Sequence, residues 1–123
     1  MNVYDALNHL ERSIKNSPEN KKYQELRAKI EGDQDKKKII SDLRQKQMEI
    51  QSFMMMGQEV PEEKQNELEK FSEIVQFNPT IQEFLQAEYQ LSRIFEDVSK
   101  SLSGAFDFWM PEGFPGKEEA DDE

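Results

Sequence analysis

Between Asn78 and Trp109 the apolar residues Ile81, Phe84, Leu91, Phe95, Val98, Leu102, Ala105 and Trp109 follow one another at alternating steps of three and four. That spacing keeps one stripe of a helix apolar over many turns, which is the pattern of a helix that packs along another helix. The step due between Phe84 and Leu91 falls on Glu88, a carboxylate on an otherwise apolar seam. Such a pattern specifies a long helix with a partner and carries no reaction chemistry of its own.

The rest of the chain punctuates in the same helical idiom. Asn2 is placed to cap a helix over about Val3–Lys15, whose Val3, Leu7, Leu10 and Ile14 make one stripe. Ser17-Pro18-Glu19 offers a capping hydroxyl, a proline at the first helical position and a carboxylate beside the positive helix end. A short second helix carrying Tyr23, Leu26 and Ile30 then runs to Gly32. Asp33 caps a third helix reaching Met56, ~35 Å long at 1.5 Å per residue, with Ile40, Leu43, Ile50 and Met54 on its seam and Gln47 where an apolar residue belongs. Gly57-Gln58-Glu59-Val60-Pro61 is a turn, and Glu62 and Glu63 open a fourth helix with Leu68, Phe71, Ile74, Val75 and Phe77. Asn78-Pro79 starts a fifth helix at a kink or tight corner, and Gly104 marks its end. Glu11–Lys15, Glu25–Lys29 and Glu96–Lys100 are spaced for i, i+4 ion pairs on solvent faces.

The expected fold is therefore all-α: a helical bundle built on a long antiparallel helix hairpin, with two short N-terminal helices packed across it. A chain of 123 residues has room for one domain with a modest core. The bundle is expected over residues 1–106, followed by a tail over 107–123 that is aromatic and then acidic, either folded back as a plug or flexible. Covering the seams of such thin rods takes more apolar surface than one short chain supplies comfortably, which points to a homodimer.

Charge and residue inventory exclude several functions. Sixteen basic against 26 acidic residues leave −10, of which Glu118, Glu119, Asp121, Asp122 and Glu123, offset by Lys117, supply −4. An acidic body repels phosphate backbones, so direct nucleic-acid binding is not expected. With no cysteine, thiolate metal sites, iron–sulfur clusters and thiol nucleophiles are excluded. The longest apolar run, Phe53-Met54-Met55-Met56, is far below the roughly 20 residues of a membrane span. No signal peptide is readable at the start, so a cytoplasmic location is expected. His9 is the single histidine, which rules out paired Glu-x-x-His motifs and two-histidine zinc sites. It reads as a flank residue of the first helix. No glycine loop cradles phosphate. Neither catalytic residues nor a cofactor or metal site is expected, and the chain reads as a non-enzyme.

The residues left as interaction candidates are Phe53, Met54, Met55, Met56, Gln47, Glu88 and Trp109. The Phe53–Met56 run surrounds its helix, because successive side chains point about 100° apart. Either a second subunit or another protein covers it, or the neighbouring turn and first helices do. Gln47 and Glu88 either reach the edge of the bundle with their long side chains or meet each other, or their symmetry mates, and set helix register. Lys36-Lys37-Lys38 reads as a solvated helix start.

Asn2-Val3-Tyr4-Asp5-Ala6 with Leu7 and Leu10, the Gly-Gln-Glu-Val-Pro turn, and Asn78-Pro-Thr-Ile-Gln-Glu-Phe-Leu-Gln-Ala-Glu-Tyr-Gln-Leu91 resemble the YlbF/YmcA family of small bacterial helical proteins, its YheA-type branch most of all. The resemblance spans about Asn2 to Leu102. It implies a self-associating helical bundle without catalytic residues. By the same resemblance, relatives are regulatory partners in Gram-positive bacteria, tied to competence, sporulation and biofilm formation through an assembly that adjusts ribonuclease-driven RNA maturation. That assembly holds iron–sulfur clusters through cysteines, which this chain lacks, so the cofactor role does not transfer. The function expected is a protein–protein interaction module, a regulatory partner in RNA-processing or developmental control. The alternative is a holdase-like or stress-related binder using the methionine tip and the aromatic tail.

Overall fold

Four of the five helices begin where a short polar side chain accepts from the free backbone N–H groups of a first turn. Asn2 Oδ1 accepts from Asp5 N–H at 2.9 Å, and α1 runs Val3–Lys15. Ser17 Oγ accepts from Asn20 N–H at 3.2 Å while donating to the Ile14 carbonyl at 2.7 Å. It thereby joins the end of α1 to α2, Pro18–Glu31. Asp33 Oδ1 accepts from the N–H groups of Asp35 and Lys36 and opens α3, Gln34–Met55. α4, Glu62–Gln76, follows Pro61 without a side-chain cap. Asn78 Oδ1 accepts from Ile81 N–H at 3.3 Å at the head of α5, Pro79–Ala105. A non-helical Phe77-Asn78 step separates α4 from α5, so the expected corner is present.

The computed structural model describes residues 1–109, all-helical apart from turns and the stretch after Ala105. The expected acidic end of the tail lies outside the described residues. The chain divides into two compact units, Met1–Leu91 and Ser92 onward.

In the first unit α3 and α4 form the expected antiparallel hairpin. Their cross-links show the direction: Lys46 meets Glu67 at 3.2 Å and Glu49 meets Lys64 at 3.0 Å, so partners retreat along α4 as α3 advances. At the turn Gly57, with φ of 72°, donates to the Met54 carbonyl and Gln58 donates to that of Phe53. This left-handed stop needs glycine, because a Cβ would strain it.

The core lies beyond the open end of the hairpin. Leu26 and Ile30 of α2, Ile40 of α3, and Ile81, Phe84 and Ala87 of α5 are buried together, with Tyr23, Ile39, Val75 and Leu85 packed around them. Ile81 is 0% exposed, and the Tyr23 and Phe84 rings stack with centroids 5.4 Å apart. Four helices thus converge where α4 hands over to α5.

Two finer expectations change. α1 touches α2 but buries none of its side chains, and Val3 and Leu7 stand exposed. The seam of α3 also does not continue through Gln47 and Met54, both exposed. It turns around the helix to Lys46, Ile50 and Phe53, which are half-buried. The reason is a change of partner. The first half of α3 faces α2 and α5, whereas the second half has α4 alone to pack against.

In the second unit, Ser92–Ala105 continues α5 as helix and Phe106-Asp107-Phe108-Trp109 follow without regular secondary structure. Phe106 and Phe108 stack on each other with centroids 5.6 Å apart, and both are exposed, as is Trp109.

Candidate interaction surface

The hairpin is built so that its far end is stiff although it holds no apolar core. Lys46 lays its apolar stem into the α3–α4 interface, its Nζ 5.1 Å from the centroid of the Phe71 ring and 3.2 Å from Glu67 Oε2. One turn further, Lys64 Nζ faces Glu49 Oε2 at 3.0 Å and Glu67 Oε2 at 3.8 Å. Glu49 Oε2 is shielded from solvent and meets that ammonium as a counter-charge, without hydrogen-bond alignment. The four groups alternate in sign across the interface, and each lowers the others' cost of charging.

The titration behaviour follows. The Lys46 ammonium hydrogen-bonded to Glu67 is the largest cause holding that carboxyl below its ordinary value, with Lys64 adding to it. Glu49 in turn pushes Lys64 up. Because Glu67 is depressed in the folded state, its contribution is complete above the unfolded value of 4.5 and disappears as pH falls through the lower folded value. Glu67→Gln is expected to lower the thermal midpoint modestly at neutral pH, where that contribution is complete, and to flatten its fall on the acid side of 4.5, so that the two proteins converge at low pH. Calorimetric melts of both proteins across that range check this.

At the end of this braced rod the three methionines are bare. Met54 is 67%, Met55 81% and Met56 72% exposed, with Phe53 half-buried against the hairpin below them. The neighbouring turn and first helices do not cover them. Along the same helix, Met48 joins Ser41, Arg44, Gln45, Glu49, Ser52 and Phe53 in lining an open groove. The tip is thus a flexible, polarizable, apolar surface on a stiff mount, a type of surface that adapts to more than one contact shape.

The other candidates lie elsewhere. Glu88 is half-buried and pairs with Arg44 of α3 across the first unit, not with Gln47. Gln47 is exposed on α3. The pairing ties α5 to α3 beside the core, so Glu88 sits on the seam as half of a salt bridge. Trp109 is exposed in the second unit, apart from the tip in sequence and in the unit to which it belongs. His9 is exposed on α1. Lys36 pairs with Asp33 at 2.9 Å and Lys38 with Asp42 at 3.1 Å, which spends most of the basic run locally.

The hairpin cross-links are functional scaffolding that seam reading overlooks. Their signal is nonetheless present: oppositely charged residues stand at matched distances on either side of the Gly57 turn, Lys46 against Glu67 and Glu49 against Lys64. Among the described residues no group of three or more His, Cys, Asp or Glu side chains is placed to hold a metal ion. No helix among them is long and apolar enough to cross a membrane.

Comparison with known proteins matches the chain to relatives over most of its length. A UPF0342 protein of Halothermothrix orenii is 35% identical over 112 residues, covering 91% of this chain and 95% of the relative. One from Caldicellulosiruptor bescii is 36% identical over 107 residues, 87% of this chain and 90% of its own. One from Symbiobacterium thermophilum is 32% identical over 109 residues, 89% and 97% respectively. The family model described as "Control of competence regulator ComK, YlbF/YmcA" matches residues 3–106, from the first residue of α1 to just past the end of α5. The caps Ser17, Asp33 and Asn78, the Gly57 turn and the Asn78–Leu91 core segment fall within that span, and on the match and the relatives' identity the chain belongs to the YlbF/YmcA family.

Proposed function

We propose that the protein is a non-enzymatic, cytoplasmic interaction module that presents the Phe53–Met56 tip of its α3–α4 hairpin to protein partners, in the manner of a regulatory subunit. Its family is described by the control of a competence regulator, and a role in RNA-processing or developmental control fits that description. The observation that carries the reading is the exposure of three successive methionines on a turn braced by two interhelical charge pairs. A chain of net charge −10 gains nothing in solubility from an apolar tip, so contact is the natural use of it. In this reading nucleic acid is not bound directly.

Replacing Met54, Met55 and Met56 together by Gln keeps helix propensity and side-chain length while removing the apolar surface. Quantitative affinity capture from cell extract is expected to lose about tenfold or more of each specific partner with the triple variant, at unchanged helical circular dichroism. Equal recovery with both proteins, or no reproducible partner for either, overturns the proposal. If partner recovery is unchanged but protection of an aggregating client falls, the tip serves holdase-like binding instead.

A further inference from the structure

All the sulfur of this chain is methionine sulfur: it has six methionines and no cysteine. Methionine commonly fills irregular gaps in a core, yet the buried side chains here are Leu, Ile, Phe and Ala. The five methionines among the described residues are all exposed. Three of them, Met54, Met55 and Met56, are consecutive and close the end of α3.

A bare thioether reacts with peroxides without first losing a proton, unlike a thiol. Its sulfur lone pair attacks one oxygen of hydrogen peroxide, and the S–O bond forms as the O–O bond breaks. The other oxygen leaves as water, the sulfur having lost two electrons and the peroxide having gained them. The product is a sulfoxide, which is polar where the thioether was apolar. A dithiol reductase returns the two electrons, releasing the oxygen as water and closing its own disulfide.

The fold around these positions separates a switch from damage. Backbone groups alone close the turn: Met56 N–H donates to the Ser52 carbonyl at 3.2 Å, Gly57 to Met54 at 3.1 Å and Gln58 to Phe53 at 3.0 Å. None of the three methionines belongs to the core cluster. The last turn of α3 holds no basic residue, so a sulfoxide oxygen at this negative helix end has no cation on its own turn to pair with. Oxidation therefore changes the surface of the tip and leaves the hairpin and core standing.

We propose that Met54, Met55 and Met56 form a reversible oxidation site, at which peroxide turns the apolar tip polar and releases its partners. The release rests on the tip being the contact surface, and the modification does not.

The test treats the folded protein with millimolar hydrogen peroxide, removes the peroxide, and follows mass, circular dichroism and affinity capture. Sulfoxides at 54–56 are expected at a rate within about threefold of that in the urea-unfolded chain, with helical signal unchanged. The oxidised protein should capture about tenfold less of the partners that the Met54→Gln, Met55→Gln, Met56→Gln variant loses. Reduction by the two epimer-specific sulfoxide reductases should restore capture. A Met54→Leu, Met55→Leu, Met56→Leu variant keeps an apolar tip without sulfur and should hold its partners after the same treatment. Met48→Leu, which removes an exposed methionine earlier on α3, should stay sensitive. Tenfold protection of the tip sulfurs in the folded chain overturns the proposal. So does full capture after oxidation, or a loss that the reductases do not reverse or that the triple Leu variant shares. In each of these cases the contact reading survives if the triple Gln variant still loses its partners. A triple Gln variant that keeps every partner overturns the contact reading and the release together.

Discussion

Phe84→Ala is expected to lower the unfolding free energy by about 3–5 kcal/mol, as truncation of a buried aromatic does when its surroundings cannot collapse into the space. Phe84 is nearly fully buried where α2, α3, α4 and α5 meet, and its ring stacks on Tyr23 at an interplanar angle of 29°. Among the described residues only seven side chains are buried, so no second core layer is available among them to absorb the loss. Urea unfolding monitored by circular dichroism measures the change. A Tyr23→Ala, Phe84→Ala double-mutant cycle should recover about 0.5–1.5 kcal/mol of coupling for the ring pair. The contrast is Phe77→Ala. Phe77, seven residues earlier at the end of α4, is 87% exposed, and its truncation is expected to stay within about 0.5 kcal/mol. A loss at Phe84 no larger than that at Phe77 would mean that the junction of the four helices is not the centre of stability.

The contrast between these two phenylalanines marks how far the sequence could be read. Helix boundaries were legible because caps are local: Asn2, Ser17-Pro18, Asp33 and Asn78-Pro79 each satisfy backbone groups within three residues of themselves. Seam position was legible only while a helix kept one partner. Along α3 the period reads correctly through Ile40 and Leu43, then fails at Gln47 and Met54, because the surface to be covered changes from α2 and α5 to α4. Lys46 takes the inner position there. Its charge disguises a side chain whose stem is apolar and whose head has Glu67 and Phe71 within reach.

Glu88 shows the same limit from the other side. A carboxylate on an apolar stripe announces a partner, but the partner is Arg44, 44 residues away in sequence, and nothing local encodes that distance. The methionine tip was legible as a run that outlasts any single face. Whether the neighbouring turn covers it depended on how the chain leaves α3, and Gly57 turns it away. α1 is the converse. Its stripe of Val3, Leu7, Leu10 and Ile14 has the periodicity of a packed helix, yet only Leu10 and Ile14 find partial cover. Periodicity states that a face wants covering and is silent about what does it.

Ile81→Ala is expected to cost about 2–5 kcal/mol, and Ile81→Val about 0.5–1.5 kcal/mol, in the same unfolding experiment. Among the described residues Ile81 is the one side chain with no exposed surface, and it stands in the first turn of α5 directly after the corner with α4. Its backbone N–H is the group that the Asn78 side chain accepts from at 3.3 Å, so one residue both fills the core and anchors the cap that starts the helix. The two roles separate by mutation. Asn78→Ala removes only the cap and should cost about 1 kcal/mol, whereas Ile81→Ala keeps the N–H in place and removes only the packing. Because the residues share one turn, the double variant should depart from additivity. Once the core no longer holds the first turn, its cap has less structure to stabilise, and the summed single losses should exceed the measured one by about 0.5 kcal/mol or more. Strict additivity would show that the corner is held by its cap and by its core independently, and that Ile81 is an ordinary core residue placed beside a turn.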